Sequence, residues 1–110
     1  MNWISLTEPE QLQKIIDDSG QKPQIVYKHS SRCGISSMVL RRLERESPPD
    51  SLDYYFVDVI RNRNVSNKIA EQFNVYHESP QILVIKNGEC IYDESHYAIS
   101  MEDVLQQLNI

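Results

Sequence analysis

The chain has 110 residues, of which 40% are hydrophobic and 25% charged, with a formal net charge of −5. That length suits a single globular domain, 1–110, built on one core. The negative balance argues against nucleic acid or an anionic membrane surface as a partner.

No stretch is long and apolar enough to span a bilayer, and Met1-Asn2-Trp3-Ile4-Ser5 lacks the charged and apolar regions of a signal peptide, so the expected location is the cytoplasm. The only cysteines, Cys33 and Cys90, stand far apart and make no disulfide framework. No Cys/His spacing suits zinc, and no metal site is expected. Both thiols should be reduced.

In chain order, Thr7 with Glu10 has the spacing of a capping box, and Leu12, Ile15 and Ile16 form the apolar stripe of a helix that Gly20 ends. A strand is predicted over 24–29. A short polar turn follows, and a helix opens at Cys33 with Ile35, Val39, Leu40 and Leu43 inward and Met38 filling a core gap, until Ser47-Pro48-Pro49-Asp50 stops it. On that helix Arg41, Arg42 and Arg45, interleaved with Glu44 and Glu46, read as a solvated face. Aromatic and β-branched residues over 53–59 predict a buried strand.

A third helix over 63–74 carries Val65, Ile69, Ala70 and Phe73 on one face. Two strands, 81–86 and 89–94, flank Asn87-Gly88, the strongest short-range hairpin signal. Ser100 caps a last helix whose Met101, Val104, Leu105 and Leu108 face inward. The order is α-β-α-β-α-β-β-α. It implies an α/β fold, with a right-handed parallel βαβ unit and an antiparallel hairpin on one mixed sheet flanked by helices.

The chemistry centres on Cys33. At the start of a helix, unpaired backbone N–H groups and the macrodipole favour a thiolate by ~0.3–1 kcal/mol, up to ~2 when partly buried, where about 1.4 kcal/mol is one pKa unit. Arg32, with Lys28 or His29, would add to that field. Where a dithiol C-x-x-C site carries its second cysteine stands Ser36. A serine closes no intramolecular disulfide, so any disulfide of Cys33 must be resolved by a second molecule. Cys90 reads as a packing residue on the hairpin, opposite the Cys33 edge.

Two stretches carry a resemblance. Val26-Tyr27-Lys28-His29-Ser30-Ser31-Arg32-Cys33-Gly34-Ile35-Ser36 resembles the strand and active-site helix of thioredoxins, and Ser79-Pro80-Gln81-Ile82-Leu83-Val84-Ile85-Lys86-Asn87-Gly88-Glu89 resembles their strand-opening proline, adjoining strand and hairpin. More narrowly, Lys28-His29-Ser30, Cys33-x-Ile35-Ser36, His77-Glu78-Ser79-Pro80-Gln81, Asn87-Gly88-Glu89 and Ser95-His96 resemble the monothiol bacilliredoxins, small redox proteins of the bacillithiol system.

The resemblance implies a single thioredoxin-like domain, a monomer in which Cys33 takes a low-molecular-weight thiol, bacillithiol, from S-thiolated client proteins. A second small thiol then frees Cys33, and no cofactor is bound. It implies that Pro80 is cis and lies against Cys33, leaving the backbone of Ser79 to pair with substrate. Ser36, with the backbone N–H groups of Ile35 and Ser36, would donate to the thiolate, and Arg32, Gly34, Ile35, Ser79, Pro80 and His96 would bind substrate.

Tyr27 stands where thioredoxins place a buried carboxylate, consistent with one-thiol chemistry or with aromatic core filling. Arg61 and Arg63 would meet carboxylates of the small thiol or simply be solvated. His96 would touch the thiol site or bond backbone, with His77 a weaker candidate. His29 would hold a charge near Cys33 or merely end a strand. Two other functions remain open. The stretch 27–36 is also similar to the active loop of glutaredoxin-coupled arsenate reductases, although those place an arginine where Ser79 stands before Pro80. Alternatively, Cys33 would serve a non-catalytic redox sensor or adaptor, with stable partners and no turnover.

Overall fold

The computed structural model describes residues 1–110. Its five-stranded sheet runs in the order β1-β3-β2-β4-β5, with β1 (Trp3–Ser5), β2 (Gln24–His29), β3 (Asp53–Asp58), β4 (Gln81–Lys86) and β5 (Glu89–Ser95). β1, β3 and β2 are parallel, while β4 runs antiparallel to β2 and β5 antiparallel to β4. Helices α1 (Gln11–Asp18) and α3 (Arg63–Phe73) cover one face, and α2 (Gly34–Arg45) and α4 (Met101–Gln107) the other. The expected mixed α/β sheet is present, in the thioredoxin arrangement.

The strand residues sort by alternation. Ile25 and Tyr27 of β2 join Val39, Leu43, Ile82 and Val104 in the core on the α2 side, whereas Val26 joins Ile15, Val57, Ile69 and Leu83 on the α1 and α3 side. A strand buried on both faces reads as a continuous apolar run, as β4 does. Each fully buried Leu, Ile or Val stabilises by ~1.5–3 kcal/mol. β2 departs from that rule at Lys28, a fully buried lysine.

Three local expectations need correction, and one strand is additional to those expected. The Thr7/Glu10 capping box does not form: Glu10 makes no side-chain cap bond, and the Oε1 of Gln11 instead accepts the N–H groups of Thr7 and Glu8. β1 was not predicted, since three residues carry no periodicity. It is set by Trp3, whose ring centroid lies 5.9 Å from that of Tyr54 and 6.0 Å from those of Phe56 and Tyr27. Met38 is exposed rather than core. Arg42 is not part of a solvated face, because its guanidinium donates to the carbonyls of Tyr97 and Ile99 and ties α2 to a short 3₁₀ turn at His96–Ala98.

The hairpin forms as read. Asn87 (φ 52) and Gly88 (φ 78) are both left-handed, the geometry of a two-residue turn whose twist matches its strands. The backbone of Ser19 at the end of α1 accepts the N–H of Asn87, and its Oγ accepts that of Gly88. That docking fixes the hairpin end of the sheet, away from Cys33.

Candidate active site

Cys33 occupies the N-cap position of α2 with extended backbone (φ −112, ψ 114). Its N–H donates to Ser30 O at 3.0 Å, closing the turn that follows β2, and Ser37 N–H reaches its carbonyl at 3.3 Å. No side chain caps the helix and no acidic residue lies in its first turn. The N–H groups of Gly34, Ile35 and Ser36 therefore stand beside the thiol as unspent donors, the arrangement that stabilises an anion. The thiol is free and half-buried. Arg32 and Gly34 are exposed beside it and Ile35 is half-buried, packed on the core below.

Ser36 is placed differently from expectation. It is wholly buried, and its Oγ lies 2.8 Å from Nδ1 of His29 while accepting the N–H of Ser30 at 3.0 Å. Tyr27 donates its phenol to Ser36 O at 2.8 Å. The hydroxyl thus pairs with one backbone N–H and one imidazole nitrogen, and its oxygen lies 3.5 Å from the Tyr27 phenol. The hydroxyl makes no hydrogen bond to Cys33, so the direct thiolate donor expected at Ser36 is corrected to a latch for the turn below it.

Burial pushes the pKa of His29 down, opposed by the Asp58 carboxylate. The imidazole is therefore neutral at pH 7 and lends Cys33 no charge. Its ring lies 5.2 Å from Phe56, centroid to centroid. Sequence reasoning missed the Ser36–His29 bond. Its one signal is a polar pair at the end of a strand and the first turn of the next helix, a separation that a tight turn can close.

Ser79-Pro80 is cis, as the resemblance implied. Antiparallel pairing of β2 with β4 sets Lys28 opposite Gln81, so Pro80 lies at the Cys33 end of the sheet. His96 belongs to the same loop cluster. Its N–H donates to Pro80 O at 3.0 Å and its Nε2 lies 3.1 Å from Oε2 of Glu78. The imidazole is therefore engaged with a carboxylate, neither of the two partners expected for it. Arg61 lines a shallow cleft of about 150 Å³ with Thr7, Phe56 and Asp58 at this edge. Arg63 begins α3, close enough for its charge to depress the pKa of His77. Neither arginine, nor Arg32, forms a salt bridge.

Cys90 sits at the other end. Its thiol donates to Tyr92 O at 3.2 Å, and burial pushes its pKa up to about 11. The largest surface concavity, about 370 Å³ between β1 and the start of β3, is also remote from Cys33 and holds no thiol or histidine.

The model of the monothiol bacilliredoxin BrxC family matches residues 4–104. The chain belongs to that family. Among solved structures it is similar to a provisionally assigned oxidoreductase with a thioredoxin fold, at 30% identity and TM-score 0.83 over 96% of this chain and 93% of the other. It also resembles the thioredoxin of Malassezia sympodialis (17% identity, TM-score 0.75, 99% and 90% covered) and that of Schistosoma mansoni (21%, 0.72, 99% and 97%), likenesses of fold. Bacilliredoxin membership makes thiol redox chemistry the function of this chain. No helix is long and apolar enough to cross a membrane.

Proposed function

We propose that Cys33 removes a low-molecular-weight thiol, bacillithiol, from mixed disulfides on client proteins. The Cys33 thiolate attacks the small-thiol sulfur, the client's S–S bond breaks, and the client leaves as a thiolate that takes up a proton. Cys33 is left as a mixed disulfide with the small thiol. A second small thiol, as thiolate, attacks that bond, and a symmetrical small-molecule disulfide departs with Cys33 restored.

One observation carries the reading: a half-buried thiol at an uncapped helix start has no second thiol within reach. Ser36 occupies the resolving position and Cys90 lies at the far end of the sheet. Two features favour a thiolated protein as substrate. Met38, Tyr76 and Tyr97, on the three segments that flank the site, are exposed, with Tyr76 at 90%. Arg32, Arg61 and Arg63 lack carboxylate partners in a chain of net charge −5, which suits carboxylates on a small thiol. The reaction needs no bound cofactor. A monomer in the reducing cytoplasm, with S-thiolated proteins and small thiol as partners, fits it.

The test is turnover on a bacillithiolated protein. Cys33→Ala abolishes release of the cap and Cys90→Ala retains it; equal loss from both refutes the assignment. Turnover of arsenate, or stable partners without turnover, would replace it with the reductase or the adaptor.

A further inference from the structure

Lys28 is the one long cationic side chain buried completely in this protein, and its ammonium is committed on the α3 face of the sheet, not the α2 face expected of a group that charges the surroundings of Cys33. It projects from β2 to the α3 side of the sheet. Its Nζ lies 3.2 Å from Ser66 O on α3 and 3.2 Å from Nδ1 of His77. Ser66 Oγ lies 3.3 Å from the same ring nitrogen. The strands beside Lys28 place Val57 and Gln81 opposite it, and Gln81 donates to Tyr76 O at 2.9 Å. Its hydrogen-bond partners are thus one helix carbonyl and one imidazole, with no carboxylate.

His77 accepts the ammonium because it stays neutral: burial, then the charges of Lys28 and Arg63, push its pKa down, against a smaller opposing effect of Glu78. Its Nδ1 lone pair is therefore free, and Lys28 donates to it. A buried amine without a counter-ion costs stability, and an apolar side chain of similar length would remove that cost. The cluster also spans the loop that matters. His77 and Gln81 bracket Glu78-Ser79-Pro80, and both are tied down within it.

We propose that Lys28 is a positioning residue for thiol exchange: its buried ammonium holds His77, and through it the Tyr76–Pro80 loop, in the arrangement against which a client chain docks beside Cys33. This rests on the thiol exchange proposed above. Burial pushes the amine's pKa down to about 8, so its proton is lost within an accessible pH range. Below that value the ammonium holds the loop; above it the neutral amine holds it more weakly. His77 is the titratable side chain in contact with the amine, Arg63 and Glu78 act on that imidazole in opposite senses, and β3 and β4 present Val57 and Gln81, neither titratable, at its register positions.

The experiment compares wild type, Lys28→Met and His77→Leu on a bacillithiolated protein and on 2-hydroxyethyl disulfide, a substrate too small to dock along the loop. Expected for Lys28→Met is a Tm equal to or above wild type, with KM for the protein substrate raised about tenfold at unchanged kcat, while the small disulfide reacts as before. The ratio of wild-type to variant kcat/KM is largest at about pH 7 and falls toward one by about pH 9. His77→Leu, changed outside the core, raises the same KM.

Three results overturn the proposal. One is a lowered Tm with unchanged KM in Lys28→Met, a purely structural role. Another is equal loss on both substrates, and the third is an unchanged KM in His77→Leu. Absence of exchange through Cys33 in the wild type would instead overturn the function proposed above.

Discussion

The two ends of the sheet hold the same functional group in opposite conditions. At one end Cys33 stands on an uncapped helix start, half-buried, next to the exposed Arg32 and to the unspent N–H donors of the first turn. At the other, Cys90 packs against the core on the α1 and α3 side, donates a hydrogen bond to a strand carbonyl and has its pKa pushed up by burial to about 11. Burial is what separates the two thiols: it pushes the Cys90 pKa up against the pull of its backbone hydrogen bonds, while Cys33 is only half-buried at a helix start.

Alkylation reads the difference between the two thiols most strongly. With a pKa near 11, Cys90 should react with iodoacetamide at about pH 7.5 about a hundredfold more slowly than an ordinary exposed thiol. Intact mass should show one rapid adduct, absent in Cys33→Ala. Comparable rates at the two cysteines would end the contrast.

The next effect is on stability at the Cys33 end. Ser36→Ala leaves the N–H of Ser30 and Nδ1 of His29 without their partner, costing about 1–3 kcal/mol in denaturant unfolding. Because Ser36 Oγ makes no bond to the thiol, kcat/KM should fall by less than about tenfold, far less than in Cys33→Ala. A loss as complete as that of Cys33→Ala would restore the serine as a direct donor to sulfur.

The smallest effect is with acid. His29 and His77, both at the Cys33 end, have pKa values held below their ordinary 6.5 by burial. The unfolded chain therefore binds protons that the native state refuses, and stability falls as pH drops below about 6.5, by up to ~1.4 kcal/mol per histidine per pH unit. Asp53, held below 3.8, contributes only at more acid pH. Unfolding midpoints should decline between about pH 7 and pH 5. A flat profile would mean that both imidazoles take up protons as freely folded as unfolded.

How much of this was legible in the sequence follows from the range of each interaction. The α2 start, the Asn87-Gly88 turn and the apolar stripes are local patterns, and they appear where the residues put them. β1 escaped because Trp3 is ordered by aromatic partners on β2 and β3, distant in sequence. Arg42 looked like one charge among several until the carbonyls of Tyr97 and Ile99 came within its reach. At the site, Cys33 and Pro80 were readable from motif and resemblance. The inward turn of Ser36, the Glu78–His96 pair and the Lys28–His77 contact depend on which face of a strand or loop a polar side chain takes, and alternation alone left Lys28 with no visible partner.

The most direct measurement is intact mass after exposure to oxidised bacillithiol, followed by reduced bacillithiol, for wild type, Cys33→Ala and Cys90→Ala. One bacillithiol adduct is expected on wild type and on Cys90→Ala, none on Cys33→Ala, and the second thiol should remove it. An internal Cys33–Cys90 disulfide, or an adduct that persists in Cys33→Ala, would contradict it.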